Sequence, residues 1–213
     1  MRELTMEDRR PGDKPSLDYL FHPKSIAIVG VSTDTARIAS GQVFLESLID
    51  AGFKGKIYPV SRDQGEILGL KMYPSIRDIP DTVDYVISAI PAQDTPQLIM
   101  DCAAKGVKAI HMFTAGFSEI EDEEGKRLQA RLVATAKKAG IRIIGPNCFG
   151  IYYPKTGLTF PSAIPEDGGK KSGSVSFISQ SGGNSMLAVR GGAARGVYLS
   201  LIHISEPTRP LYI

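Results

Sequence analysis

The chain has 213 residues, is 42% hydrophobic and 23% charged, and carries 25 Lys+Arg against 23 Asp+Glu, a formal net charge of +2. That composition excludes wholesale disorder and fibrous repeats, and the near-neutral balance gives no electrostatic footprint for duplex nucleic acid or an anionic membrane. Two cysteines, Cys102 and Cys148, are too few for a disulfide framework or a four-ligand zinc site, which points to a reducing compartment, the cytoplasm. No segment reaches the roughly 18 unbroken apolar residues of a membrane span. Residues 1–19 are polar and of mixed charge (EDRRPGDK) without the apolar run of a secretory signal, and read as an N-terminal extension.

The first apolar run is Ser25-Ile-Ala-Ile-Val-Gly-Val31, short, rich in β-branched residues and interrupted by Gly30, the pattern of a strand buried on both faces. After a polar loop, Val43, Phe44, Leu48 and Ala51 recur at helix spacing, and Gly52 supplies the stop. Residues 56–60 (KIYPV) form a second strand, and residues 84–90 (DYVISAI) a third. Thr95-Pro96 suits the N-cap and first position of a helix ending at Lys105-Gly106. Residues 107–112 are the next strand. Acid at residues 121–124 and base at Lys137-Lys138 complement the dipole of a long helix closed by Gly140. Residues 142–144 make a further strand, ended by Gly145-Pro146. Strands alternating with helices of ten to twenty residues predict a parallel α/β sheet with right-handed crossovers over residues 20–150.

Residues 151–172 are rich in Gly, Pro and Lys without a sustained period and read as a linker. Residues 173–200 begin a second α/β unit: the strand SVSFIS, the turn Gln180-Ser-Gly-Gly-Asn184 and a helix to about residue 195. A second α/β domain needs on the order of 100 residues, so this unit reads as truncated. Residues 201–213 (LIHISEPTRPLYI) read as a non-native tail, with a short strand as the other possibility.

In open parallel sheets ligands bind at the carboxyl ends of the strands. The first strand–helix turn, Gly30 to Gly41, is not G-x-G-x-x-G, because Ser32 stands at the second glycine. The acid that holds an NAD ribose is missing directly after the second strand: Val60 is followed by Ser61 and Arg62, with Asp63 only afterwards. These two departures disfavour an NAD(P)-dependent oxidoreductase. The hydroxyls of Ser32, Thr33 and Thr35, the cation Arg37 and a helix N-terminus remain, a set suited to a nucleotide phosphate or to a plain solvated loop. In the turn Ser179-Gln-Ser-Gly-Gly183, the backbone N–H groups of residues 181–184 point toward a phosphoryl group at a helix start; a simple tight turn is the alternative. It is neither a Walker A loop nor a nucleophile elbow. His111 lies inside a strand and reads as structural, Cys148 reads as a packed cysteine, and no general acid–base pair or metal-ligand spacing appears.

Six segments occur in one order: SIAIVGVS at 25–32, GKIYPV at 55–60, GEILGLKMYPS at 65–75, TAGFSE at 114–119, GPNCFGI at 145–151 and FISQSGG at 177–183. In that order and spacing they resemble the NDP-forming acyl-CoA synthetases, which include ADP-forming acetate–CoA ligase and, more distantly, the succinyl-CoA ligase alpha subunit. The likeness runs over about residues 20–197. It implies a Rossmann-like parallel-sheet domain that binds coenzyme A, followed by a flavodoxin-like α/β domain. By resemblance the CoA phosphates fall on Gly30, Ser32, Thr33 and Arg37. Arg62 stands in for the lysine that the family offers after its second strand, a departure from the pattern. Pro91, Ala92, Phe113, Thr114 and Ala115 line the pantetheine path, and Ser181, Gly182 and Gly183 face a phosphohistidine.

The family joins a short-chain carboxylic acid to CoA at the expense of ATP, through an acyl phosphate and a phosphohistidine. Neither His22 nor His111 matches that histidine, and ATP/ADP and Mg belong to an ATP-grasp domain or beta subunit. The expectation is therefore a CoA-binding fragment of a ligase without catalytic residues of its own. The alternative is a CoA- or nucleotide-binding regulatory module.

Overall fold

The computed structural model describes residues 17–33, 39–63, 65–161, 163 and 171–204. After a one-turn helix α1 (Asp18–Phe21), the chain runs through β1 (Ser25–Val29), α2 (Ser40–Asp50), β2 (Lys56–Val60) and the short hairpin β3 (Glu66–Ile67) and β4 (Leu70–Lys71). Then come β5 (Tyr85–Ser88), α3 (Thr95–Lys105), β6 (Ala109–Met112), α4 (Glu123–Ala139) and β7 (Arg142–Ile144). The last elements are β8 (Gly150–Tyr152), β9 (Val175–Ser179), α5 (Gly182–Ala193) and β10 (Leu199–Ile204).

The main sheet has the order β2-β1-β5-β6-β7, and every pair in it is parallel. The chain leaves β1 toward β2 on one side and returns to β5 on the other, so the strand order reverses between β1 and β5. A crevice for a ligand is expected at the carboxyl ends of that pair.

All five residues of β1 are buried, as its apolar run predicts for a strand covered on both faces. Their alternation sorts them into two cores. Ile26 and Ile28 join Tyr85, Ile87 and the α2 residues Phe44, Leu45 and Leu48. Ala27 and Val29 join Val86, Ile110, Met112, the α3 residues Leu98, Ile99 and Cys102, and Leu132 and Ala136 of α4. The period of two along the strand thus decides which helices each side chain meets.

The second sheet, β8-β10-β9, differs from the sequence expectation in two ways. Gly150, read as the end of the first domain, opens β8, which pairs antiparallel with β10. The segment 151–172, read as a linker, buries Leu158, Phe160 and Ala163 in the same core as Ile26 and Phe44. It is tied to the first sheet's amino edge by Lys54 N–H donating to the Thr156 carbonyl at 3.1 Å and by the Thr156 hydroxyl donating to the Phe21 carbonyl at 3.0 Å. The apolar side chains that do this lack helix or strand period, so only their tertiary burial reveals them. Residues 201–204 complete β10 between β8 and β9, the short strand given as the other possibility for this stretch; residues 205–213 lie outside the described residues.

One capping expectation is also corrected. Thr95 is the first helical residue of α3 rather than its N-cap; its hydroxyl donates to the Ala92 carbonyl at 2.7 Å, and Pro96 follows one position later. Among the described residues no helix is long and apolar enough to cross a membrane.

Candidate functional site

Gly30 follows β1 with φ +102°, and a Cβ on it would lie 2.6 Å from the Ala89 carbonyl oxygen. Glycine therefore lets the end of β1 press against the end of β5, the switch point where a ligand is expected. Gly41, in the first turn of α2, has no room for a Cβ, which would collide with the Gly30 carbonyl and lie 2.8 Å from the Val31 nitrogen. The two glycines together allow a strand end, a helix start and a neighbouring strand to converge. Gly41 closed the loop in the sequence, but its packing role has no local signal.

Ser32 and Thr33 leave this junction together. The Ser32 hydroxyl donates to Oδ2 of Asp63 at 3.3 Å, and the Thr33 N–H donates to the same oxygen at 3.4 Å. The Asp63 N–H is in turn bonded to the Ser61 hydroxyl oxygen at 3.1 Å. The acid that appeared misplaced in the sequence thus faces the first loop, because the turn after β2 folds it back. Arg62 is exposed beside it. Arg37, expected on the phosphates, and Thr35, the loop's third hydroxyl, lie outside the described residues.

The rest of the rim comes from the ends of β5, β6 and β7. The Thr114 hydroxyl donates to the Ile90 carbonyl at 2.6 Å, the Asn147 N–H donates to the Thr114 carbonyl at 2.9 Å, and the Phe113 N–H donates to the Ser88 carbonyl at 3.0 Å. Pro91 and Ala115 are exposed at this edge, while Ala92 and Phe113 are half-buried. Gly116, at φ +104°, lies against Ala92, with 3.3 Å left for a Cβ. Glu119 fixes the loop between them: its two carboxylate oxygens accept the Gly116 N–H at 2.5 Å and the Phe117 N–H at 3.1 Å. The sequence reading quoted Glu119 in a motif but gave it no role. The Ser88 hydroxyl, buried at the end of β5, has no hydrogen-bond partner among the described residues.

The turn before α5 differs from its expectation in part. Of the four N–H groups expected to point at a phosphoryl group, that of Ser181 is bonded to the Ser179 hydroxyl oxygen at 3.0 Å and that of Asn184 to the Ser181 hydroxyl oxygen at 3.2 Å. Ser181 is therefore an N-cap, and only Gly182 and Gly183 keep N–H groups without a partner among the described residues. Phe149 connects this turn to the rim. Its ring stands 5.6 Å from that of Phe113 and close enough to Gly182 that a Cβ there would lie 2.6 Å from the ring. The sequence showed Phe149 only as one letter of GPNCFG.

The remaining candidate chemistry is packed away. His111 is buried, with Nε2 2.6 Å from the Cys148 carbonyl oxygen and its ring edge-on to Phe44 at 5.5 Å. Both cysteines are buried and unbridged, and burial pushes the Cys102 thiol far up. No group of three His, Cys, Asp or Glu that could hold a metal occurs among the described residues. A cleft lined by Ala51, Gly52, Lys54, Pro154, Lys155 and Ser172 lies at the other end of α2, away from the carboxyl edge of the sheet.

Comparison with known proteins supplies the family context. Residues 24–154 match the family model for the CoA binding domain. The chain is 42% identical over 175 residues to the alpha subunit of acetate–CoA ligase [ADP-forming] I from Pyrococcus furiosus, covering 78% of this chain and 36% of that one. It is 42% identical over 168 residues to acetate–CoA ligase [ADP-forming] II from Archaeoglobus fulgidus, covering 79% of this chain and 24% of the relative. It therefore spans about a third or less of the length of these relatives. In structure it is similar to the dinucleotide-forming acetyl-coenzyme A synthetase 1 of Ca. Korarchaeum cryptofilum, solved in complex with phosphate and ADP. The TM-score is 0.79 at 35% identity, over 90% of this chain and 39% of that one.

Proposed function

This chain belongs to the CoA binding domain family, homologous to the CoA-binding part of ADP-forming acetate–CoA ligases, and from that premise we propose that it binds coenzyme A at the carboxyl edge of its five-stranded sheet. The observation that carries this reading is the junction at Gly30. There the strand order reverses, β1 and β5 touch, and the Ser32 hydroxyl and Thr33 N–H emerge side by side. Donors grouped at such a point suit a pyrophosphate.

The assignment of parts follows the rim. Gly30, Ser32, Thr33 and Arg37 take the phosphates, with Arg62 as a second cation. Pro91, Ala92, Phe113, Thr114 and Ala115 flank the pantetheine arm, which suits an amphipathic chain because the edge alternates apolar contact with backbone polar groups. Phe149 then stands between the thiol end of that arm and the free Gly182 and Gly183 N–H groups, to which, with their cap Ser181, we assign a phosphoryl group.

Within a complete ligase the CoA sulfur would attack the carbonyl carbon of an acyl phosphate, releasing phosphate and forming the thioester. The acid would be short-chain, acetate being the type case. ATP/ADP and Mg would be handled by an ATP-grasp domain or beta subunit, and a histidine other than the buried His111 would carry the phosphoryl group. The described residues contribute binding and orientation. Two free cysteines and the absence of a membrane-crossing helix among the described residues are compatible with the cytoplasm as the site of action.

Calorimetric titration of the 213-residue chain with CoA, beside NAD, tests the reading. We expect CoA to bind more tightly; preference for NAD would overturn it.

A further inference from the structure

We propose that Asp63 is an internal anion, occupying the phosphate donors of the first loop until coenzyme A displaces it and thereby setting the affinity of the site. The inference rests on the CoA reading above.

Three features carry it. The Ser32 hydroxyl and Thr33 N–H converge on one oxygen, Oδ2 of Asp63, at 3.3 and 3.4 Å. Two donors meeting on a single anionic oxygen is the arrangement a phosphate oxygen would take in the same place. The carboxylate also arrives from about thirty residues away, so the contact is not a local turn or cap. It bridges the loops after β1 and β2, the first of which borders the switch point between β1 and β5. Finally, the local bond from the Asp63 N–H to Ser61 fixes the turn that presents the side chain.

A carboxylate and a phosphate cannot share these donors, since both are negative and both only accept. Binding therefore requires Asp63 to leave. Its hydrogen bonds are long and Asp63 itself is exposed, so leaving disturbs no core packing. A ligand with further contacts along the rim can drive the exchange. A lone inorganic phosphate, with nothing else to hold it, gains little. Asp63 thus acts on specificity as well as on affinity.

Removing the charge should help the ligand. Loss of a like charge at contact distance in a solvent-exposed site corresponds to about a fivefold change in the dissociation constant. The test is calorimetric titration of the 213-residue wild type, Asp63→Asn and Asp63→Ala with CoA and separately with inorganic phosphate, with a melting curve for each protein. Asp63→Asn keeps the side-chain shape at an exposed position, so it decides the question if Asp63→Ala melts early. We expect CoA to bind both variants about fivefold more tightly, and phosphate to become a measurable competitor in the variants alone. Unchanged or weaker CoA binding in Asp63→Asn, with wild-type binding intact, overturns the role of Asp63 and leaves the CoA reading standing. If neither wild type nor variants bind CoA, both fall.

Discussion

At the scale of single residues, Gly30 concentrates the constraint. Its φ of +102° lies where side chains are rarely tolerated, and a Cβ would stand 2.6 Å from a backbone oxygen that cannot swing away. Gly30→Ala should therefore cost about 1–3 kcal/mol of stability and remove CoA binding, because the β1 and β5 ends must separate. Chemical denaturation with a parallel titration would check both effects; an alanine variant of wild-type stability would contradict the close approach. Gly41 and Asp63 belong to the same junction, but their roles were illegible in the sequence for different reasons. Gly41 closes a loop too long for a dinucleotide fingerprint, and Asp63 looked misplaced because a linear count cannot show a turn folding back.

At the scale of elements, local chemistry was the better guide. The long helix α4 begins after Asp122, whose carboxylate accepts the Gly125 N–H at 3.4 Å. It ends with Lys137 and Lys138 in the last turn and Gly140 in the left-handed conformation. Each of these is a signal within one turn of the chain. Asp122→Ala should cost about 1 kcal/mol, read as a lower denaturation midpoint with an unchanged slope. The helix α3 shows the limit of the same logic. Thr95-Pro96 has the composition of a cap, but the chain enters through a tight turn at residues 92–94, and the Thr95 hydroxyl is used backward on Ala92. Composition indicated a helix start; the direction of approach decided which residue capped it.

At the scale of the whole molecule, the second sheet shares its core with the first. Tyr152, Phe160, Val189, Leu199 and Ile202 belong to the cluster that contains Ile26 and Phe44. The outer side is different: among the described residues β9 is an edge strand, Ile178 on it is 76% exposed, and Leu187 on α5 is 71% exposed. An unpaired edge with apolar side chains invites association between molecules. Replacing Ile178 and Leu187 together by Lys should change stability by no more than about 0.5 kcal/mol for each site while raising the soluble concentration. Light scattering and a melting curve would measure the two effects; a large drop in melting temperature would show that these side chains are packed after all.

The sequence by itself determined the alternation of strands and helices, the parallel sheet and the family. All three are written in local patterns: period two against period 3.6, glycine and charge at helix ends, and six short segments in order. Only the tertiary structure decided that Asp63 faces Ser32, that Phe149 spans the rim and the α5 turn, and that Leu158, Phe160 and Ala163 pack into the first sheet's core. Those contacts join residues about 30 or more positions apart, and no periodicity within a window of the chain records which distant side chain will fill the space beside it.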